Sequence, residues 1–544
     1  MPSFAYTALD DGSSGSAEGF HRRTMKSPAK GPPYLGMTGT RLNVWVTVAC
    51  TAAMTLFGYD QGVFGGIIVT QDFLDTMGNP DPQLQGTIVS LYDIGCFFGA
   101  IAAFLYGDTL GRKKSFLIGV GVMSIGAVLQ TCSYTVAQMI VARLITGLGN
   151  GVNTATAPVW QSETSKAAWR GKLVVFSMIM NIAGFSLSNW MTYGFSYLEG
   201  SISWRFPIGF QLFFSAVLLS TIPWLPESPR WLLAHGHVEK GTSVLAALEG
   251  EGATASTPSI IHQRDAILNA VRLESEAAVT WRDVLNGNTG NTGMIRRLCL
   301  GAGTQWMQQL SGVNVTSYYL PLVLQNSVGL SNNMSRLLAA CNSVSYLLFS
   351  FLGLVLIERA GRRKLMMWGA AGQCICYIFI AGLLSRAGGA ELNVDARYGA
   401  GATGFFFLYY LFFGACWQGV PWLYATEINS LSMRAKGAGL ATASNWISNY
   451  VVVQMTPSGI DRLGWKFYIV WAFFNAIFVP LIWLIYPETA NRHLEDIDRL
   501  YSENGPMVIV VNNKEAIQVE RPQRFIDADK ELLDRRNPYT QDDA

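Results

Sequence analysis

The sequence predicts an all-α membrane protein of twelve transmembrane helices in two halves of six, and three observations carry that prediction. Of 544 residues, 50% are hydrophobic and 14% charged, with mean hydropathy +0.25, about half the charge density of a soluble domain. Apolar stretches of about 20 residues, the length a helix needs to cross about 30 Å of hydrocarbon, recur between short charged interruptions. Those interruptions repeat from the first half to the second, as an internal duplication requires.

In chain order, residues 1–43 are rich in Gly, Ser and Lys and hold no short apolar run. A cleavable secretory signal is therefore not expected, and the first span serves as its own insertion signal. Spans are expected at 44–68, 86–106, 114–131, 136–158, 172–193 and 206–225, forming a first half over 44–225. A polar linker, 226–296, carries amphipathic patterns near 237–249 and 260–276. The second half, 297–487, has spans at 297–326, 336–357, 364–385, 401–424, 436–456 and 465–487. The tail, 488–544, is charged and poor in aromatics, a composition expected to be partly disordered.

The placement of Lys and Arg gives the orientation. Arg22, Arg23, Lys26, Lys30 and Arg41 precede the first span, Arg112, Lys113 and Lys114 follow the second, and Lys166, Arg170 and Lys172 follow the fourth, all on one side. The opposite loops at 69–85 and 131–137 contain neither residue, although Arg205, Arg397 and Arg462 do lie on that side. Both termini are therefore expected to be cytoplasmic, in a multi-pass protein of the plasma membrane. The eight cysteines fall in or beside spans without metal-ligand spacing and read as small core residues. His21, His235, His237, His262 and His493 lie outside the spans, and no Gly-Lys-Ser/Thr phosphate loop is present. Neither a membrane enzyme nor an ATP-driven pump is supported, and no cofactor or metal is expected.

The repeated punctuation is specific. Gly107-Asp108 with Gly111-Arg112-Lys113-Lys114 follows span two, and Glu358 with Gly361-Arg362-Arg363-Lys364 follows span eight. Glu163 and Arg170 after span four are spaced as Glu427 and Arg434 are after span ten. Pro226-Glu227-Ser228-Pro229-Arg230 closes span six, and Pro487-Glu488-Thr489 closes span twelve. The offsets are 250 residues for Arg112 and Arg362, 264 for Glu163 and Glu427, and 261 for Glu227 and Glu488. Solvated topogenic charge accounts for the basic residues but not for acids at fixed distances. Asp108, Arg112, Glu163, Arg170, Glu227, Arg230, Glu358, Arg362, Glu427 and Arg434 are accordingly expected to form a gating charge network that pairs and parts as the halves rock.

These residues, with Gly58-Tyr59-Asp60, Arg143 with Gly147, Pro158 to Glu163, Gln308-Gln309-Leu310-Ser311-Gly312-Val313-Asn314 and Pro421-Trp422, give the chain its resemblance to the sugar porters of the major facilitator superfamily, over about residues 44 to 495. Tyr59-Asp60-Gln61-Gly62 and the stretch Asn153 to Glu163 look closest to the fungal branch that includes glycerol/proton symporters. The resemblance implies the major facilitator fold and import of a sugar or polyol by alternating access.

A sugar presents hydroxyls in every direction, so its site needs amides that both donate and accept, together with an aromatic face. Gln308, Gln309 and Asn314 lie in an apolar span where an uncompensated amide is costly, so they are expected to face the pathway. The alternative is that such amides merely bond helix to helix. Trp422, Asn445 and Trp446 stand where the family lines its sugar, and packing is the alternative for the tryptophans. Two positions depart from the family: Met178 replaces a span-five glutamine and Tyr346 a span-eight asparagine, so hexose specificity does not carry over and a smaller polyol stays open.

Asp60 lies within the first span, where a carboxylate is expensive unless protonated or paired, and Arg143 in span four is its expected partner. A neighbouring Arg favours the ionised acid and burial favours the neutral one, so movement of the pair can switch proton uptake and release. Proton-coupled sugar porters use this arrangement, and the resemblance implies symport here; an uncoupled hexose facilitator, a nutrient sensor and an exporter of a fungal metabolite remain alternatives. Asn333-Met334-Ser335 fits a glycosylation sequon on an outer loop, close to the membrane. The expected partners are a small sugar or polyol, protons and the bilayer, with no nucleic acid, and a monomer is expected.

Overall fold

The computed structural model describes residues 33–527 except 167–168, 251, 277–278, 287–292, 388–395, 431, 493 and 505–507. Among the described residues there is no β-strand. The first half is built from α1 (Gly39–Ile67), α2 (Pro82–Leu110), α3 (Arg112–Thr131), α4 (Val136–Thr164), α5 (Arg170–Phe195) and α6 (Gln211–Thr221), the last preceded by the short helix Ile202–Gly209. The second half is built from α7 (Met294–Leu310), α8 (Asn332–Arg359), α9 (Arg362–Arg386), α10 (Ala396–Cys416), α11 (Arg434–Leu463) and α12 (Phe467–Ile485).

Among the described residues, eight stretches are long and apolar enough to cross a membrane by length and composition, the last joining α11 and α12. The helices α4, α5 and α7 hold Arg143, Asn150 and Asn153, then Asn181 and Asn189, then Gln305, Gln308 and Gln309, all buried inside the bundle. Polar residues cost least where they face an interior pathway, so these spans mark its walls.

Packing repeats with the sequence. In the first half α1 packs on α5, α2 on α4 and α3 on α4; in the second, α7 packs on α11, α8 on α10 and α9 on α10. The halves meet along α2 with α11 and α5 with α8, two contacts that exchange with each other when the halves are exchanged. Small residues permit the close approach: a Cβ on Gly58 would stand 1.7 Å from the Asn181 carbonyl oxygen, and one on Gly147 2.1 Å from that of Tyr92.

The charged punctuation gathers at one end of the bundle, here called the charged end. Gly111 (φ +87°) and Gly361 (φ +80°) turn the chain into α3 and α9 at corresponding points. The Glu227 carboxylate accepts from the backbone N–H groups of Arg112 (3.0 Å), Lys113 (3.2 Å) and Ser228 (2.8 Å). Glu488 does the same for Arg362 (2.9 Å), Arg363 (3.1 Å), Thr489 (3.0 Å) and Ala490 (3.0 Å). Each carboxylate occupies the positive end of a helix dipole and satisfies donors that the helix start leaves unpaired.

The linker forms Pro229–Ala234, Val238–Glu249, Pro258–Glu276 and Trp281–Leu285, with the last opened by a Thr280/Asp283 capping box. The described part of the tail folds back on the second half. Leu494–Asn504 presents Ile497, Leu500 and Tyr501 on one face, all buried, and Arg297 of α7 pairs with Asp498 at 2.6 Å. Val510 N–H donates to the Leu484 carbonyl (2.8 Å). Spacings of three and four apolar residues gave this segment a face to bury despite its charge.

Candidate substrate and coupling site

Breaks in α7 and α10 place the central side chains. Gly312 takes the left-handed conformation (φ +86°), ends the first part of the span and starts the turn Val313–Ser317; Leu320–Asn326 completes the crossing. The Gly312 carbonyl freed by this break accepts from the Tyr377 hydroxyl of α9 at 2.8 Å. In the tenth crossing, α10 ends at Cys416 and Pro421 opens the helix Val420–Glu427. Non-helical backbone at membrane depth is tolerated only where its polar groups find partners or line a cavity. Both conditions hold, because Gln308 Nε2 donates to the carbonyls of Trp417 (2.8 Å) and Gln418 (3.3 Å).

Between the halves the broken helices surround a cavity. Its polar wall comes chiefly from the second half: Gln308, Gln309, Asn314, Gln418, Asn445 and Asn449. The first half adds Gln61 and Asn181, and aromatic surface comes from Phe57, Tyr346, Phe413 and Trp422. The amides are bonded into an array of two groups: Asn445 Nδ2 donates to Gln305 Oε1 (2.7 Å) and Gln308 Oε1 (3.2 Å), while Asn314 Nδ2 donates to Gln309 Oε1 (2.6 Å) and Asn449 Oδ1 (2.5 Å). Such an array is pre-positioned for a polyhydroxylated ligand.

A second cavity shares Met178, Gln418 and Trp422 with the first and continues toward the charged end between Pro158, Val175, Ile357 and Thr426. At the opposite end the halves are bonded together. Ser90 donates to Gln454 (2.6 Å), Arg336 to Thr70 Oγ1 (2.9 Å) and Asn332 to the Val69 carbonyl (3.0 Å). The site therefore opens toward the charged end and is sealed at the other.

The expected residues are sorted by this geometry. Gln308, Gln309, Asn314, Asn445, Trp422, Met178 and Tyr346 all line the cavity. Gln308 has both ends of its amide engaged by the protein, so it holds the break in the tenth crossing as much as it faces a ligand. Tyr346 stacks on Tyr410 with centroids 4.4 Å apart, and its hydroxyl donates to Gln418. Trp446 is not among the cavity residues. It is buried between the halves, edge-on to Phe57 and Tyr92 at 5.5 and 6.4 Å, and the packing alternative describes it.

Asp60 and Arg143 meet inside the bundle, Nη1 to Oδ2 at 3.3 Å, with side chains 0% and 1% exposed. Arg143 also donates to the Val89 carbonyl (3.0 Å) and lies over the rings of Phe64 and Tyr92 at 4.1 and 4.4 Å.

At the charged end Arg112 holds Glu163 through two bonds of 3.1 Å, and Arg362 holds Glu427 at 3.0 and 2.7 Å, the same fork on each half. Asp108 lies 3.4 Å from Arg112. Burial pushes the Glu227 carboxyl above its usual range, opposed by the backbone donors of Ser228, Lys113 and Arg112. Arg230 pairs with Glu274 of the linker at 2.5 Å, because Glu227 is engaged by backbone. Glu358 is exposed and enters none of the ion pairs among the described residues. The forks of Arg112 and Arg362 each lie within one half. Arg434 heads α11, and the Arg170 side chain lies outside the described residues. Asn333 is exposed in the first turn of α8, whereas Ser335 of its sequon is fully buried.

The "Sugar (and other) transporter" family profile matches residues 45–501. The chain belongs to the sugar porter family of the major facilitator superfamily. It is 53% identical to "MFS-type transporter oryC" of Aspergillus oryzae, over 92% of this chain and 93% of that one. It is 34% identical to "Sugar transporter STL1" of Saccharomyces cerevisiae, over 86% and 83% of the two chains. Among solved structures, a partially occluded inward-open form of the xylose transporter XylE from E. coli matches with TM-score 0.70 at 22% identity, over 84% of this chain and all of that one. That likeness bears on the fold. This family consists of membrane transporters, and the chain is a multi-pass member rather than an enzyme.

Proposed function

We propose that this sugar porter imports a sugar or polyol together with protons across the plasma membrane, with both termini cytoplasmic and the charged end facing the cytoplasm. The observation that carries the reading is an amide and aromatic cavity adjoining a fully buried Asp60–Arg143 pair. The amides supply donors and acceptors for hydroxyls, and Trp422 and Phe413 supply faces for C–H surface. An intramembrane carboxylate beside one guanidinium can exchange a proton as the halves rock and the pair's surroundings change. The forks at Arg112 and Arg362 would set the balance between the two open states. With Met178 in place of an amide, the first-half wall is less polar than the second, which suits a smaller polyol or a sugar held mainly by α7, α10 and α11.

One observation favours a second reading. The 53% identical relative carries only the general name of a transporter, and the cavity toward the charged end is lined mainly by Ala, Val, Ile, Leu and Pro. Export of a fungal metabolite with apolar surface is compatible with that lining.

Uptake of labelled glycerol, glucose, xylose and galactose, with and without a protonophore, in cells lacking their own carriers separates these readings. Protonophore-sensitive uptake, lost in Asp60→Asn, is the expected result. Uptake of none of the four by surface-located protein would favour the exporter.

A further inference from the structure

The interior holds a second carboxylate that the Asp60–Arg143 pair does not use. Asp93 of α2 is 0% exposed. Its Oδ1 accepts from Asn449 Nδ2 of α11 at 3.1 Å, while its Oδ2 has no hydrogen-bond partner. Asn449 is also the residue that accepts from Asn314, which in turn donates to Gln309 (2.6 Å). One chain of amides thus runs from the cavity wall across the interface between the halves to this acid.

Charge counting gives the chain its meaning. The charged groups acting on Asp93 are Arg143 from α4 and Asp60 from α1. Cys96 on its own helix and Tyr318 and Tyr319 from the broken seventh span are its other titratable neighbours. Two carboxylates therefore share one guanidinium in a water-poor interior, and that guanidinium is engaged with Asp60. A buried carboxylate without its own counter-charge costs far more than a neutral acid, and such a group takes up a proton instead. The bare Oδ2 is where that proton would sit, and Tyr318, a residue of the cavity wall, is nearby.

We propose that Asp93 is a second proton-binding carboxylate of the transport cycle, neutral in the conformation open at the charged end, and that Asn449 ties its protonation to the amides of the substrate cavity. The step is a simple addition: a proton from water joins an Oδ2 lone pair, the carboxylate becomes a carboxylic acid, and the same proton is later released. Rearrangement of Asn314 around a bound hydroxyl moves Asn449, which removes or restores the hydrogen bond at Oδ1 and so changes how firmly Asp93 holds the proton. The proposal rests on the proton-coupled reading given above.

Infrared spectroscopy of the full chain in lipid nanodiscs tests it without a known substrate. Wild-type protein is expected to show the C=O stretch of a buried carboxylic acid, shifted on transfer to deuterium oxide and lost in Asp93→Asn; Asp60→Asn, which frees Arg143 to compensate Asp93, is expected to diminish it. Asn449→Ala keeps the acid and removes its acceptor contact, so the band is expected to move to higher frequency; this variant serves if Asp93→Asn does not fold. Absence of the band from wild type, its persistence in Asp93→Asn, or an unmoved band in Asn449→Ala overturns the assignment. Protonophore-insensitive uptake by wild type would instead remove the symport reading, a separate outcome in a separate assay.

Discussion

The break at Gly312 allows a worked prediction for Gly312→Ala. The residue sits at φ +86°, and a non-glycine residue pays roughly 1–2 kcal/mol in that region. The new Cβ would stand 2.4 Å from the Tyr377 hydroxyl, which must swing away and give up its 2.8 Å bond to the Gly312 carbonyl. Losing a buried hydrogen bond of this kind costs about 1–3 kcal/mol. Together these come to about 3 kcal/mol, roughly a hundredfold in an equilibrium. Because Gly312 fixes where Asn314 projects, part of this cost should appear as a raised KM and part as a lower unfolding temperature of the purified protein. Tyr377→Phe removes the hydroxyl and with it the closest contact, leaving the ring carbon Cζ at 2.9 Å, so Gly312→Ala/Tyr377→Phe should be no worse than Gly312→Ala alone. Wild-type KM and wild-type unfolding in Gly312→Ala would refute the reasoning.

Three further outcomes are expected. Trp422→Ala should raise KM at normal surface expression, whereas Trp446→Ala, which empties a buried packing position, should cost about 3–5 kcal/mol of stability and show mainly as reduced expression and earlier unfolding; equal KM effects in both would contradict the sorting. Arg112→Gln and Arg362→Gln should each lower maximal uptake several-fold and to a similar extent, since the forks to Glu163 and Glu427 are counterparts; an effect confined to one half, measured against surface protein, would argue against the paired role. Asn333 should carry no glycan, because Ser335 is buried in the first turn of α8, and glycosidase treatment should leave the electrophoretic mobility of protein from fungal membranes unchanged.

Much of the architecture was legible because charge at membrane helix ends is costly to misplace. Arg112 could be matched to Arg362 and Glu163 to Glu427 from their offsets, whereas the fork of each Arg onto the Glu of its own half appears only in the structure. Glu227 and Glu488 also matched, but their work as helix caps was hidden, since capping depends on a loop folding back onto a helix from another part of the chain. The amides clustered on α7 were readable as a group within one apolar run. Gln61, Asn181, Gln418 and Asn449 were not, because the cavity they line exists only once several helices converge. Asp93 carried a signal that was available: it is an acid inside the second span, and the same expense that singled out Asp60 applied to it. Its link to Asn449, 356 residues away, has no trace in local spacing. Trp446 failed because a tryptophan next to a binding amide faces away from it on a helix, and that face here meets Phe57 and Tyr92.

The central claim is that substrate and proton cross together through the cavity and its buried acids. Purified protein in liposomes loaded with a pH-sensitive dye, held at zero membrane potential and equal pH, measures this directly when whichever of glycerol, glucose, xylose or galactose the cells accumulate is added outside. The account predicts internal acidification that follows substrate entry and disappears in Asp60→Asn. Substrate entry into wild-type vesicles with no change in internal pH would contradict it.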